Sequence, residues 1–195
     1  IEEKGGIPIL VKSEEVNLHH VEAIIHFLTA SKPDYCIHAA GYNGGIEFNR
    51  MYPADILYSN TIMGLNLHYA CQYVGVKKMV SIMTSCAYPD TGMDLLKEET
   101  FWEGQPNKTI RAHGIAKRTL QTAAEAYNEQ YGLNGVNLIP VNMYGPHDHF
   151  NLTSSHVIPA LILKFYNAMK KREQKVTLWG TGTVSREFLY ASDCC

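Results

Sequence analysis

Short apolar runs alternate with amphipathic stretches along nearly the whole chain, and this alternation most narrows the fold. Ile7-Pro-Ile-Leu-Val11, Tyr35-Cys-Ile-His-Ala-Ala40, Lys78-Met-Val-Ser-Ile-Met-Thr84, Val136-Asn-Leu-Ile-Pro-Val-Asn142 and Lys175-Val-Thr-Leu-Trp179 read as strands. Between them, 19–30, 53–73, 112–131 and 156–171 carry apolar residues at helical spacing. Pro53 suits a first turn and Gly132 suits a stop. Residues 87–111 mix Pro, Gly and polar residues and read as a long loop. Strands of buried type in regular alternation with helices predict an α/β domain on a mostly parallel sheet. Right-handed crossovers predict helices on both faces.

Composition removes whole classes of function. With 46% hydrophobic and 18% charged residues the chain can build one sizeable core, so disorder is excluded. A net charge of -2 gives no general attraction for nucleic acid or an anionic membrane. No apolar run approaches the roughly 20 residues that span a bilayer, and no signal peptide is visible. The five cysteines form no C-x-x-C pair. Neither a metal site nor a disulfide framework is expected, and reduced thiols in a cytoplasmic protein are. The chain has no initiator Met and stops within a strand-to-loop passage, Phe188-Leu-Tyr-Ala-Ser-Asp-Cys-Cys195, so it reads as a piece of a longer protein.

In parallel α/β sheets, ligands bind beyond the carboxyl ends of the strands. Four polar clusters fall there or at nearby helix starts. They are Gly41-Tyr-Asn-Gly-Gly45, Thr84-Ser-Cys86, His113 with Lys117 four residues on, and Asn142-Met-Tyr-Gly-Pro146 with His156 behind Ser154-Ser155. Each alone is explained as a turn, a cap or a solvated helix face. Their joint placement is not. No G-x-G-x-x-G occurs. A pyrophosphate-binding glycine turn, if the protein has one, is expected upstream of residue 1.

Several strings are more specific. Gly44-Gly-Ile46, Tyr52-Pro-Ala-Asp55, Thr84-Ser-Cys-Ala-Tyr-Pro89, Pro140-Val-Asn-Met-Tyr-Gly-Pro-His-Asp148, Ser155-His-Val-Ile-Pro-Ala-Leu161, Trp179-Gly-Thr-Gly-Thr183 and Arg186-Glu-Phe188 together resemble the extended short-chain dehydrogenase/reductases. Within that family they are most similar to the branch that converts GDP-4-keto-6-deoxy-D-mannose to GDP-L-fucose. The resemblance implies a Rossmann-like doubly wound parallel sheet, incomplete at both ends. Residues 1–150 would form the central part of the NAD(P)-binding domain without its first strand. Residues 151–195 would continue into the first substrate-facing segments of a C-terminal lobe.

The resemblance also implies a reaction. A 4-keto group acidifies the protons at C3 and C5, and inverting those centres needs an acid and a base. The matching positions are Cys86 and His156. Reduction at C4 would use Thr84, residue 113 and Lys117. NADP, or alternatively NAD, would lie on Ala39, Ala40, Gly41, Lys117, Asn142 and His156. Lys164, Trp179 and Arg186 would face the GDP-sugar, and a homodimer would form through helices 53–73 and 112–131. The sequence departs from the family at residue 113, where Tyr-x-x-x-Lys becomes His113-x-x-x-Lys117. Imidazole reaches roughly 2 Å less than a phenol, and a neighbouring ammonium favours its neutral form. Two other readings stay open. One is a 4-epimerase or GDP-deoxysugar reductase of the same family; the other is a catalytically silent nucleotide-binding protein.

Overall fold

The computed structural model describes residues 2, 5–92, 96–152 and 154–194. Its elements in chain order are α1 (Val21–Ser31), β1 (Tyr35–His38), α2 (Ile46–Met51), α3 (Pro53–Val74), β2 (Lys78–Ile82), α4 (Arg111–Tyr131), β3 (Gly135–Leu138), β4 (Asn142–Tyr144), α5 (Val157–Lys171), β5 (Phe188–Tyr190) and α6 (Ala191–Cys194). The fold is Rossmann-like α/β. Strands β1, β2 and β3 form a parallel sheet in that order, with His38 opposite Ser81 and Ile82 opposite Leu138.

Helices α1, α3 and α4 pack side by side on one sheet face. Val16, Ile24, Leu28, Leu67, Cys71, Met79 and Leu133 make the main core between them. Helix α3 begins with Pro53 and ends at Gly75, whose φ of 84° lets its N–H reach back to the Cys71 and Gln72 carbonyls. Helices α3 and α4 are in close contact where Gly64 meets Leu120.

Several sequence expectations are corrected. Residues 7–11 form no strand. Ile7 and Leu10 are exposed, and so are Tyr35 and Ile37 on β1. A strand exists only where another backbone pairs with it, and none does among the described residues. Residues 175–179 form no strand either: Thr177 gives its carbonyl to Lys164 instead. The run 136–142 divides at Pro140, which has no N–H to donate. Its first part is β3, and its end becomes β4, paired parallel to β5 in a second, two-stranded sheet. Strand 35–40 stops at His38 and strand 78–84 at Ile82. Helix α2 was not expected. The second face of the main sheet, with Ile37, Val136 and Leu138, is exposed among the described residues rather than covered by helices. Cys36, Cys71, Cys86 and Cys194 are free thiols, and Cys195 lies outside the described residues. No described helix is long and apolar enough to cross a membrane.

Candidate active site

The candidate residues assemble around the carboxyl ends of β1 and β2. After β2 the chain turns through Thr84-Ser85-Cys86, where the Thr84 hydroxyl oxygen accepts the Cys86 N–H at 3.2 Å. Both side chains stay half-buried. The first turn of α4 is pressed against this turn. A Cβ on Gly114 would lie 2.6 Å from the Cys86 carbonyl oxygen and 2.9 Å from Pro106 Cβ. Only glycine permits that approach, which seats His113 and Lys117 beside the Thr84–Cys86 segment.

Lys117 is 5% exposed, and its Nζ donates to the Ile82 carbonyl at 2.8 Å. Burial of the ammonium lowers its pKa to about 8. His113 is equally buried, and its Nδ1 has no hydrogen-bond partner. Desolvation first, then the positive charges of Lys117 and His156, lower its pKa to about 4. His113 is therefore a neutral imidazole at pH 7. The influence of His156 also places that residue within electrostatic reach across the site.

His156 precedes the first turn of α5 and is exposed. It is brought in by the glycine loop after β1. The Gly45 N–H donates to the Ser154 carbonyl at 2.9 Å, and a Cβ on Gly45 would stand 2.8 Å from the Ser155 carbonyl oxygen. A cavity of about 210 Å³ is lined by residues including Tyr144, Pro146, Ile158 and Tyr190, at the start of α5 and the ends of β4 and β5.

Two buried residues that sequence reasoning did not single out shape the same end of the sheet. Asn60 accepts the Tyr42 N–H at 3.0 Å and donates to the Tyr42 carbonyl at 2.8 Å, fixing the glycine loop. Its signal was a polar residue on the apolar stripe Ile56, Met63, Leu67 of α3. His38, 2% exposed, ends β1 with an unpartnered Nδ1. Desolvation, with lesser effects of Lys117 and His68, pushes its pKa to about 3. No sequence pattern separated it from its strand.

Ala39, Ala40 and Gly41 are exposed at the carboxyl end of β1, and only small side chains stand there. With the uncommitted His113 Nδ1 and the Lys117 amine, this edge fits a flat, hydrogen-bonding cofactor. Farther out, Asn142 donates its Nδ2 to the Glu187 carbonyl at 3.1 Å, tying β4 to β5. Lys164 Nζ lies 4.8 Å from the Trp179 ring centroid and donates to the Thr177 carbonyl at 3.2 Å. Arg186 donates to its neighbour Ser185 and remains in solvent. The structure thus groups Thr84, Cys86, His113 and Lys117, leaves His156 linked to them through its electrostatic effect on His113, and pairs Lys164 with Trp179, while the hydrogen bond of Arg186 goes to its neighbour Ser185.

Comparison with known proteins agrees with this architecture. Residues 3–195 match the model of the NAD dependent epimerase/dehydratase family. The chain is 34% identical over 194 residues to the GDP-L-fucose synthase of Escherichia coli, covering 99% of this chain and 60% of that protein. It is 35% identical over 186 residues to the GDP-L-colitose synthase of Yersinia pseudotuberculosis, covering 95% and 60%. Among solved structures, the GDP-L-fucose synthetase of Naegleria fowleri bound to NADP superposes with a TM-score of 0.88 at 30% identity, over 98% of this chain and 64% of that one. The chain spans about three fifths of the length of the curated relatives it matches. A family match over nearly every residue, with the fold in agreement, establishes that this chain belongs to the NAD dependent epimerase/dehydratase family.

Proposed function

We propose that the protein is a nucleotide-sugar epimerase/reductase that uses NADPH, and that its substrate is GDP-4-keto-6-deoxy-D-mannose, converted to GDP-L-fucose. The observation that carries this reading is the tight seating of Gly114 on the Cys86 carbonyl. It sets the Cys86 thiol beside the His113 imidazole and the Lys117 amine, and the separate contact of Gly45 with Ser154 and Ser155 supports His156 as the second imidazole of the crevice.

In this reading the keto group of the sugar acidifies C3–H and C5–H. Cys86 and His156 stand on opposite sides of the ring and move those protons, one withdrawing while the other returns. Ala39, Ala40, Gly41, Lys117, Asn142 and His156 would hold the dinucleotide, which when bound would supply hydride chemistry at C4. Thr84 orients the C4 oxygen by hydrogen bonding. Lys117 stabilises negative charge developing there, and its lowered pKa suits proton exchange near neutrality. His113 offers a neutral N–H in place of a phenol. Lys164, Trp179 and Arg186 face the nucleotide part of the substrate.

A second reading rests on His113. A neutral imidazole is a weak acid, so the protein would epimerise faster than it reduces, or act on a related GDP-deoxysugar that suits its shorter reach. The test is deuterium incorporation at C3 and C5, followed by NMR in D₂O with full-length protein, NADPH and the GDP-4-keto-6-deoxy sugar. Wild-type protein is expected to exchange both positions, and Cys86→Ser to lose exchange while keeping its fold. A folded, cofactor-bound wild type that neither exchanges nor reduces would make the protein a silent nucleotide binder.

A further inference from the structure

Arg118 is 5% exposed, and the chemistry above does not use it. Its Nε donates to the Ala87 carbonyl and its Nη1 to the Gly104 carbonyl, each at 2.7 Å. The guanidinium lies 5.3 Å from the Phe101 ring centroid and 5.5 Å from that of Trp102. Its Nη2 has no hydrogen-bond partner. Among the described residues no carboxylate pairs with it. Carbonyl dipoles and ring faces carry only partial charge, and a buried full charge ordinarily has a counter-charge.

The same side chain lines a cavity of about 500 Å³ between α4 and the 102–105 segment. Gln105 and Thr122 add an amide and a hydroxyl to its wall. Thr119 spends its hydroxyl on the Ile115 carbonyl, and Glu103 stands exposed at the rim. The wall therefore offers donors and an aromatic face over the buried charge of Arg118, whose Nη2 is itself covered, with one solvated carboxylate at the edge.

We propose that this cavity binds a small oxyanion, a phosphate or a carboxylate, as the counter-ion of Arg118. The site is separate from the crevice. Lys117 points to the end of β2, whereas Arg118, one residue on, points to the 87–104 segment. The larger volume leaves room for an oxyanion carried on a bigger molecule. Glu103 sets the competing arrangement, in which its own carboxylate turns inward and fills the role.

The test uses thermal unfolding and calorimetric titration of the full-length protein. Sodium phosphate and sodium citrate are compared with sodium chloride at equal ionic strength. At least one of the two oxyanions is expected to raise the unfolding midpoint and bind with one-site stoichiometry, and the stronger of them identifies the headgroup. Arg118→Gln loses two carbonyl bonds and endangers folding, so Thr122→Glu carries the argument. It places a carboxylate in the cavity, and is expected to raise the midpoint without added anion and weaken binding about tenfold or more. Glu103→Gln should tighten binding several-fold. Three results overturn the proposal: chloride matching both oxyanions, a response that persists in Thr122→Glu and so arises elsewhere, or loss of the response with a lowered midpoint in Glu103→Gln, which would make Glu103 the counter-ion.

Discussion

The Nζ of Lys117 donates to the Ile82 carbonyl at 2.8 Å, tying α4 to the end of β2 by a buried ammonium. The lysine keeps two further donors for a ligand.

This bond carries a pH signature. Burial lowers the Lys117 pKa from 10.5 to about 8 in the folded chain. The unfolded chain therefore binds more protons between those values, and stability rises with pH from about 8 towards 10.5. In Lys117→Met this climb should disappear from urea-unfolding midpoints measured across pH 7.5–10.5. The rate of C4 reduction should fall at least about a hundredfold. An unchanged climb would mean that another group titrates there.

The acid side is governed by two imidazoles. The folded-state pKa values of His38 and His113 are about 3 and about 4, against 6.5 unfolded. Below pH 6.5 the unfolded chain takes up protons that the folded chain refuses, so stability should fall between pH 6.5 and 4 by a few kcal/mol. His38→Leu removes an unpartnered buried nitrogen. It should flatten this fall and raise stability at pH 7 by about 1 kcal/mol. Urea titrations at pH 7, 6 and 5 would show whether it does.

His113 separates the two halves of the proposed reaction. With the imidazole neutral, proton exchange at C3 and C5 should outpace consumption of NADPH, read by NMR and by absorbance respectively. His113→Tyr should raise the reductive rate, because a phenol beside Lys117 restores reach and proton donation. Brisk wild-type reduction that slows in His113→Tyr would show His113 to be an adapted acid.

The α3–α4 contact should tolerate no added atom. A Cβ on Gly64 would overlap the Leu120 side chain, which is fully buried and has nowhere to move. Gly64→Ala should destabilise the protein by about 1–3 kcal/mol in chemical unfolding, despite alanine's better helix propensity. A stabilised variant would show that the helices can separate.

Association is testable on the outer faces of the same helices. Tyr58, Tyr69 and Tyr73 on α3 and Tyr131 on α4 are exposed. If these faces pair with a second copy, the full-length protein should sediment as a dimer at micromolar concentration, and Tyr73→Glu should shift it to monomer. A wild-type monomer at that concentration would exclude this surface as the interface.

The helices α1, α3, α4 and α5 were legible in the sequence to within about two residues, because apolar spacing, Pro53 and Gly132 are local signals. The strands β1, β2 and β3 were legible as apolar runs, though each ended earlier than expected. The runs 7–11 and 175–179 carry equally strand-like residues and form no strand, since pairing is a property of two segments and neither found a partner among the described residues. In the crevice, placement after strands or at helix starts marked Thr84, Cys86, His113, Lys117 and His156 as candidates, and the family resemblance supplied their expected roles. The chain by itself thus determined the α/β class, the helix positions and the chemistry available at the strand ends. Only the tertiary structure decided that Gly114 lies on the Cys86 carbonyl, that Asn60 holds the glycine loop, and that His38 and Arg118 are buried with nitrogens unpartnered. Burial and close approach depend on residues distant in sequence, and local pattern carries no record of them.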